Sequence, residues 1–209
     1  MLREHLSHMQ PVILVRHGQT DWNVAQRFQG QTDTALNARG KRQAAALGAC
    51  VKRLLNCRDG GRRLPLFASP LKRAQETARI LASCLAMPDG AVQTDTRLQE
   101  QRYGRWEGLT RTEVGKRFPG EMEKRARHPM HFRPQDGESL QDVGLRMTDF
   151  LMHLDRSCLV VTHSGNIVAL KYLLSETPEQ DLLQTPICQD ALYVLIEGKK
   201  KQLFYGGQS

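Results

Sequence analysis

The chain has 209 residues, 40% of them apolar, and 30 basic against 22 acidic side chains give a formal net charge of +8. That length fits one domain, or a domain with a small cap, around an ordinary core, and no run of about 18 apolar residues is present to span a membrane. The basic residues are dispersed, as at Arg62-Arg63, Lys124-Arg125 and Lys199-Lys200-Lys201, and lack interleaved aromatics, which argues against nucleic acid and for a small anionic ligand.

Residues 1–10 mix Arg, Glu, His and Gln without the apolar run of a signal peptide. They read as a loose extension with solvated His5 and His8. Pro11 to Val15 is an apolar, β-branched run that stops abruptly at Arg16-His17-Gly18, the pattern of a buried strand followed by a functional turn. Helical spacing of apolar residues from Asn37 to Leu55, with Asn37 as cap, predicts a helix, and Arg58 to Gly61 a turn. Pro65 to Ser69 is a second strand. Ser69-Pro70 then opens a helix from Leu71 to Leu85, with a capping serine and a proline at the favoured first position. Residues 107–137 are polar, partly helical and proline-rich toward their end, and form a candidate cap beside the active site. Ser139 to Leu154 is an amphipathic helix, and Cys158 to Thr162 is the strongest buried strand. His163-Ser164-Gly165 follows it at once, ahead of a helix over Ile167 to Leu174. Ala191 to Glu197 is a late strand, with Gln202 to Tyr205 pairing to it across a turn at 198–201.

Alternating strands and helices predict an α/β fold: a three-layer sandwich with a mostly parallel central sheet flanked by helices, plus the small cap region, in one domain over residues 1–209. Ligands of such sheets gather beyond the carboxyl ends of the strands. The turns at Arg16-His17-Gly18, Ser69 to Arg73 and His163-Ser164-Gly165 carry the polar chemistry there. The five cysteines, at 50, 57, 84, 158 and 188, are odd in number and lack CxxC spacing, which fits reduced thiols and a cytoplasmic location.

Arg16 beside His17 disfavours the protonated imidazole, keeping the ring neutral and nucleophilic, and its guanidinium can grip a phosphate in a fork. Two histidine turns could also ligate a metal, but no further His or carboxylate stands at helical or turn spacing to either. Arg73 lies in the first turn of a helix, where an anion or carboxylate explains a cation. Release of an alkoxide from phosphorus needs a proton donor; Glu100 is the candidate on position and Glu107 competes on composition.

The stretch Arg16-His17-Gly18-Gln19-Thr20-Asp21-Trp22-Asn23 resembles the opening signature of the histidine phosphatase superfamily. The resemblance continues through Phe28-Gln29-Gly30, Asp33, Leu36 and Gly40, then Ser69-Pro70-Leu71-Lys72-Arg73-Ala74 with Thr77-Ala78. It returns at Glu100, Tyr103-Gly104, Gly137-Glu138-Ser139 and His163, and so covers nearly the whole chain in order. It implies a phosphomonoester hydrolase acting on a small phosphorylated metabolite, with His17 as the nucleophile that becomes phosphohistidine and Glu100 as the acid and then the base. Arg16, Arg73 and His163 would surround the phosphoryl oxygens, with Asn23, Gln29, Gly30, Tyr103 and Ser164 as further phosphate or substrate contacts, and neither metal nor cofactor would be required. Two alternatives stay open: a cofactor-dependent phosphoglycerate mutase, and a non-catalytic phospholigand-binding protein. Against the mutases, Gln101 stands where they carry an arginine, and the segment from Thr110 to Asp136 is short where they have a long basic insertion. Trp106-Glu107-Gly108 is similar to the phosphatase branch. Ser164 occupies a position where glycine is common, and a serine still offers its backbone N–H.

Overall fold

The computed structural model describes residues 11–59, 64–174, 178–184, 186–196 and 199–204. Six strands, β1 (Val12–Arg16), β2 (Leu66–Ala68), β3 (Val92–Thr94), β4 (Cys158–Thr162), β5 (Ala191–Ile196) and β6 (Lys199–Phe204), form one sheet in the order β3-β2-β4-β1-β5-β6. The pairings among β3, β2, β4 and β1 are parallel, while β5 runs antiparallel to β1 and β6 antiparallel to β5. The helices are α1 (Asp21–Val24), α2 (Ala38–Asp59), α3 (Lys72–Cys84), α4 (Arg111–Arg117), α5 (Glu121–Arg127), α6 (Leu140–Met152) and α7 (Ser164–Leu174).

Side chains alternate across a strand, and here both faces are covered. Val12 and Leu14 of β1 and Cys158 and Val160 of β4 pack with Val143, Met147 and Phe150 of α6 and Ile167 and Leu170 of α7. Ile13, Val15, Leu159 and Val161 point the other way, onto Ala44, Leu47 and Val51 of α2 and Ala74, Ala78 and Leu81 of α3. This is the expected three-layer α/β sandwich. A third, smaller cluster joins Phe28, from the segment after β1, to Trp106, Val114, Phe118 and Met122 around α4 and α5. An isolated bridge between Arg27 and Thr110 ties the same two stretches together.

Several boundaries differ from the sequence reading, each for a local reason. Asn37 does accept a hydrogen bond from the Gly40 amide at 2.9 Å, but α2 runs on through Arg58 and Asp59 because neither residue breaks a helix. The glycines of the expected turn, Gly60 and Gly61, lie outside the described residues, as does the stretch 1–10. Helix α3 starts at Lys72, not at Pro70: the Lys72 amide is capped at 2.6 Å by Asp33 from a distant loop, while Ser69 Oγ accepts from the Leu71 amide. Helix α7 starts three residues early, at Ser164, directly off β4, and β6 begins at Lys199, inside the expected turn. Strand β3 and the short helix α1 were not expected; α1 is opened by a reciprocal capping box between Thr20 and Asn23.

Candidate active site

The register of the central parallel pair builds the site. Arg16 at the end of β1 lies opposite Thr162 at the end of β4, so the next residues, His17 and His163, emerge side by side. Their ring centroids are 5.1 Å apart, and the His17 amide donates to Thr162 O at 3.0 Å. Gly18 then lets the chain turn: a Cβ there would stand 2.3 Å from the Gly40 carbonyl oxygen, at the start of α2. Its amide donates to Thr77 Oγ1 of α3 at 3.1 Å, fixing the turn between two helices.

His17 is 2% exposed and His163 fully buried. Both imidazoles are held well below the ordinary histidine pKa, first by burial and then by the Arg73 guanidinium, with Arg16 adding to the effect. Burial thus outweighs the Arg16 neighbour that the sequence singles out. His17 Nδ1 stands 2.7 Å from Gly18 O. A carbonyl only accepts, so Nδ1 carries the proton and the neutral ring keeps its lone pair on Nε2.

Arg16, His17, Asn23, Gln29, Gly30, Arg73, Glu100, Tyr103 and Ser164 line one cavity of about 130 Å³, with Arg27 and Phe28. His163 is packed against His17 at its edge. Arg73 is fully buried; Nη1 donates to Thr32 O at 2.9 Å and Nη2 to Gly30 O at 2.6 Å. Arg16 Nη1 donates to Ile187 O at 2.5 Å. The Nε atoms of Arg16 and Arg73 and both ring nitrogens of His163 are buried and have no hydrogen-bond partner among the described residues. Buried polar atoms are rarely left so, and here they belong to two arginines that line the cavity and to the imidazole packed against His17, a cationic and donor-rich setting suited to an oxyanion. Asn23 Oδ1 accepts from the Thr20 amide and from Gln189 Nε2, and Gln29 Oε1 from the hydroxyl of Thr34, so the acceptor end of each amide is taken and the donor end remains for the cavity.

Glu100 Oε1 accepts from the Gln101 and Gly165 amides at 2.9 and 3.0 Å, and Oε2 from Ser164 Oγ at 3.1 Å. The Ser164 side chain therefore orients Glu100. Glu107, the rival carboxylate, is committed to loop structure: Oε1 accepts from the Gln31 and Tyr103 amides, and Oε2 from the Thr32 amide and hydroxyl. Gly30, at φ 52°, is required beside it, since a Cβ there would lie 2.1 Å from Glu107 Oε1. Of the arginines at 105, 111 and 133, Arg105 pairs with Glu121 and Arg133 with Asp142, while Arg111 lines the cavity next to the site. Sequence reading passed over Arg125, buried in the same neighbouring cavity, because its EMEKRAR surroundings look like a solvated helix face. Among the described residues no group of three or more His, Cys, Asp and Glu is arranged to hold a metal ion, and no helix is long and apolar enough to cross a membrane.

The profile of the histidine phosphatase superfamily, branch 1, matches residues 12–204. The chain belongs to the histidine phosphatase superfamily. Within it, a Bacillus subtilis protein described as the uncharacterized phosphatase PhoE is 44% identical over 167 residues, 78% of this chain and 76% of that protein. A 2,3-bisphosphoglycerate-dependent phosphoglycerate mutase 2 of Gloeobacter violaceus is 33% identical over 180 residues, 81% of this chain and 78% of its own. Among solved structures, a mycobacterial glucosyl-3-phosphoglycerate phosphatase in complex with VO3 superposes with a TM-score of 0.75 at 29% identity, covering 94% of this chain and 98% of that one. This member of the superfamily thus has both phosphatases and mutases among its relatives.

Proposed function

We propose that the protein is a phosphomonoester hydrolase that works through a phosphohistidine on His17. The observation that carries the reading is the neutral His17, its Nε2 lone pair free, beside four buried and unpartnered polar atoms of Arg16, Arg73 and His163. Nε2 attacks phosphorus as the ester P–O bond breaks, and the Glu100 carboxyl gives its proton to the departing alkoxide. Water then attacks the phosphohistidine; the Glu100 carboxylate takes the proton from water, the N–P bond breaks, and inorganic phosphate leaves with neutral His17 restored. The guanidinium groups and His163 stabilise the charge on the transferring oxygens, the contribution that dominates most phosphoryl transfers. The residues supply this charge themselves, so activity is expected to survive dialysis against EDTA.

Hydrolysis is favoured over mutation by Gln101, which is buried where a mutase has arginine, and residues 107–137 serve as the cap over the site. Rapid quenching with labelled substrate should trap acid-labile, alkali-stable label that His17→Ala cannot form. Supplied with 3-phosphoglycerate and 2,3-bisphosphoglycerate, the enzyme should release phosphate. Absence of any trapped label, or 2-phosphoglycerate forming faster than phosphate, refutes this assignment.

A further inference from the structure

A second cavity of about 170 Å³ opens beside the first; both are lined by Phe28, Tyr103 and Ser164. At 10–15 Å³ of such space per water, it holds a ligand of roughly ten non-hydrogen atoms, more than a lone ion needs. One side is cationic. Arg125 of α5 is 6% exposed, yet it forms no ion pair with a carboxylate among the described residues, and neither does Arg111 of α4. The Arg125 guanidinium carbon lies 5.7 Å from the Phe28 ring and 5.9 Å from the Tyr103 ring, and that of Arg111 lies 5.9 Å from Phe28. The Tyr103 hydroxyl shares a hydrogen bond with the Arg125 guanidinium, but one neutral oxygen and two ring faces hold the cation in place without neutralising it, and most of its fork of N–H groups is left for an anion.

The opposite side is apolar, built from Val168, Leu182, Leu183 and Ile187. Between the two stands Gln101. Its Nε2 donates to Glu138 O at 2.7 Å, which fixes the amide orientation. That leaves Oε1, buried and without a donor among the described residues, on a residue that lines the cavity. A mutase-type arginine would present donors here; Gln101 presents an acceptor.

We infer that this cavity receives the alcohol portion of the substrate and selects phosphomonoesters carrying a second oxyanion and a hydroxyl. The oxyanion, a carboxylate or a second phosphate, meets Arg111 and Arg125, the hydroxyl donates to Gln101 Oε1, and the carbon skeleton lies on the wall from Val168 to Ile187. The inference rests on the phosphatase reading and specifies its substrate class.

Four probes test it: 3-phosphoglycerate for a carboxylate, fructose 1,6-bisphosphate for a second phosphate, glycerol 3-phosphate for hydroxyls alone, and p-nitrophenyl phosphate for neither. Wild type should prefer one or both of the probes with a second anionic group to glycerol 3-phosphate in kcat/KM, and the preferred one identifies the oxyanion. Arg125→Met should lower kcat/KM for that probe about 10- to 100-fold more than for p-nitrophenyl phosphate, the range for a charged hydrogen-bonding partner. Arg125→Lys should restore part of the difference. Arg111 is exposed, so Arg111→Met gives the same test without risk to folding. Equal losses on all four probes, or no preference in wild type while p-nitrophenyl phosphate is hydrolysed, overturns the inference and leaves the phosphatase reading intact. A readout without turnover separates the two: in His17→Ala, the preferred probe with a second anionic group should raise the unfolding midpoint more than glycerol 3-phosphate, and Arg125→Met should erase the excess. Equal midpoint shifts overturn it too.

Discussion

Glu107→Gln separates two roles that sequence alone leaves confounded. The carboxylate receives four donors, and an amide keeps one oxygen and turns an NH2 toward the other pair. In one orientation that NH2 faces the Thr32 amide at the 3.0 Å position; in the other it faces the amides of Gln31 and Tyr103, both at 3.1 Å. The Thr32 hydroxyl can rotate to accept, so the first orientation wins, at the loss of one backbone hydrogen bond and of the charge that strengthened the rest. Hydrogen bonds to a charged group are worth about 1.5–3 kcal/mol each, and this loop is half-buried, so water compensates in part; the net destabilisation is about 2 kcal/mol. The effect reaches the site because Gly30 O and Thr32 O, in the loop Glu107 holds, position both terminal nitrogens of Arg73. Misplacing a positioning group by about 1 Å costs up to 10²-fold, so if Arg73 grips the phosphoryl group as proposed, kcat should fall about 10- to 100-fold. Urea denaturation gives the first quantity, and steady-state rates with p-nitrophenyl phosphate and an alkyl phosphate give the second. The loss should be equal for the two substrates, whereas Glu100→Gln should impair phosphorylation by the alkyl ester far more. A Glu107→Gln loss that grows with leaving-group basicity, or stability within 0.5 kcal/mol of wild type, refutes this account.

Gly18→Ala places a methyl 2.3 Å from the rigid Gly40 carbonyl oxygen; overpacking of this kind should destabilise by about 2–3 kcal/mol in thermal melts and reduce kcat by about 100-fold as His17 shifts. The depressed pKa of buried His163 ties stability to pH. Below the unfolded value of 6.5 the unfolded chain takes up a proton that the folded chain refuses, so stability present above pH 6.5 is lost as pH falls toward the folded pKa. His163→Asn should therefore flatten the urea-derived stability profile below pH 6.5 by about 1.4 kcal/mol per unit, and an unchanged slope would mean that the folded state accommodates imidazolium.

The layers were legible because β1 and β4 are continuous apolar runs covered on both faces, and because His17 and His163 follow them directly. Arg16, His17, Arg73 and Ser164, which line the cavity, were also legible, since they sit in turns that immediately leave strands or open helices. It does not yield contacts made between unrelated loops. Asp33 caps α3, Glu107 holds residues 31 and 32, and Ser164 orients Glu100, none through a local periodicity. Strand β3, with three residues at the sheet edge, is too short to show alternation. Arg125 is hidden for the opposite reason: its neighbours are charged, so helical spacing marks it for solvent, and only Phe28 and Tyr103, brought in from outside the helix, bury it.

The β1–β4 seam also bears on how the chain matures. Its two strands are far apart in the sequence, with β2, β3 and most of the helices between them, and the paired histidines come together only when the seam zips. A chain lacking residues beyond 157 carries His17 but cannot bring His163 beside it. A ligand that needs both turns binds the native state alone, and at 100 times its Kd such a ligand stabilises the fold by about 2.7 kcal/mol. Occupancy of the site and resistance to global unfolding are thereby coupled through a single pair of strands.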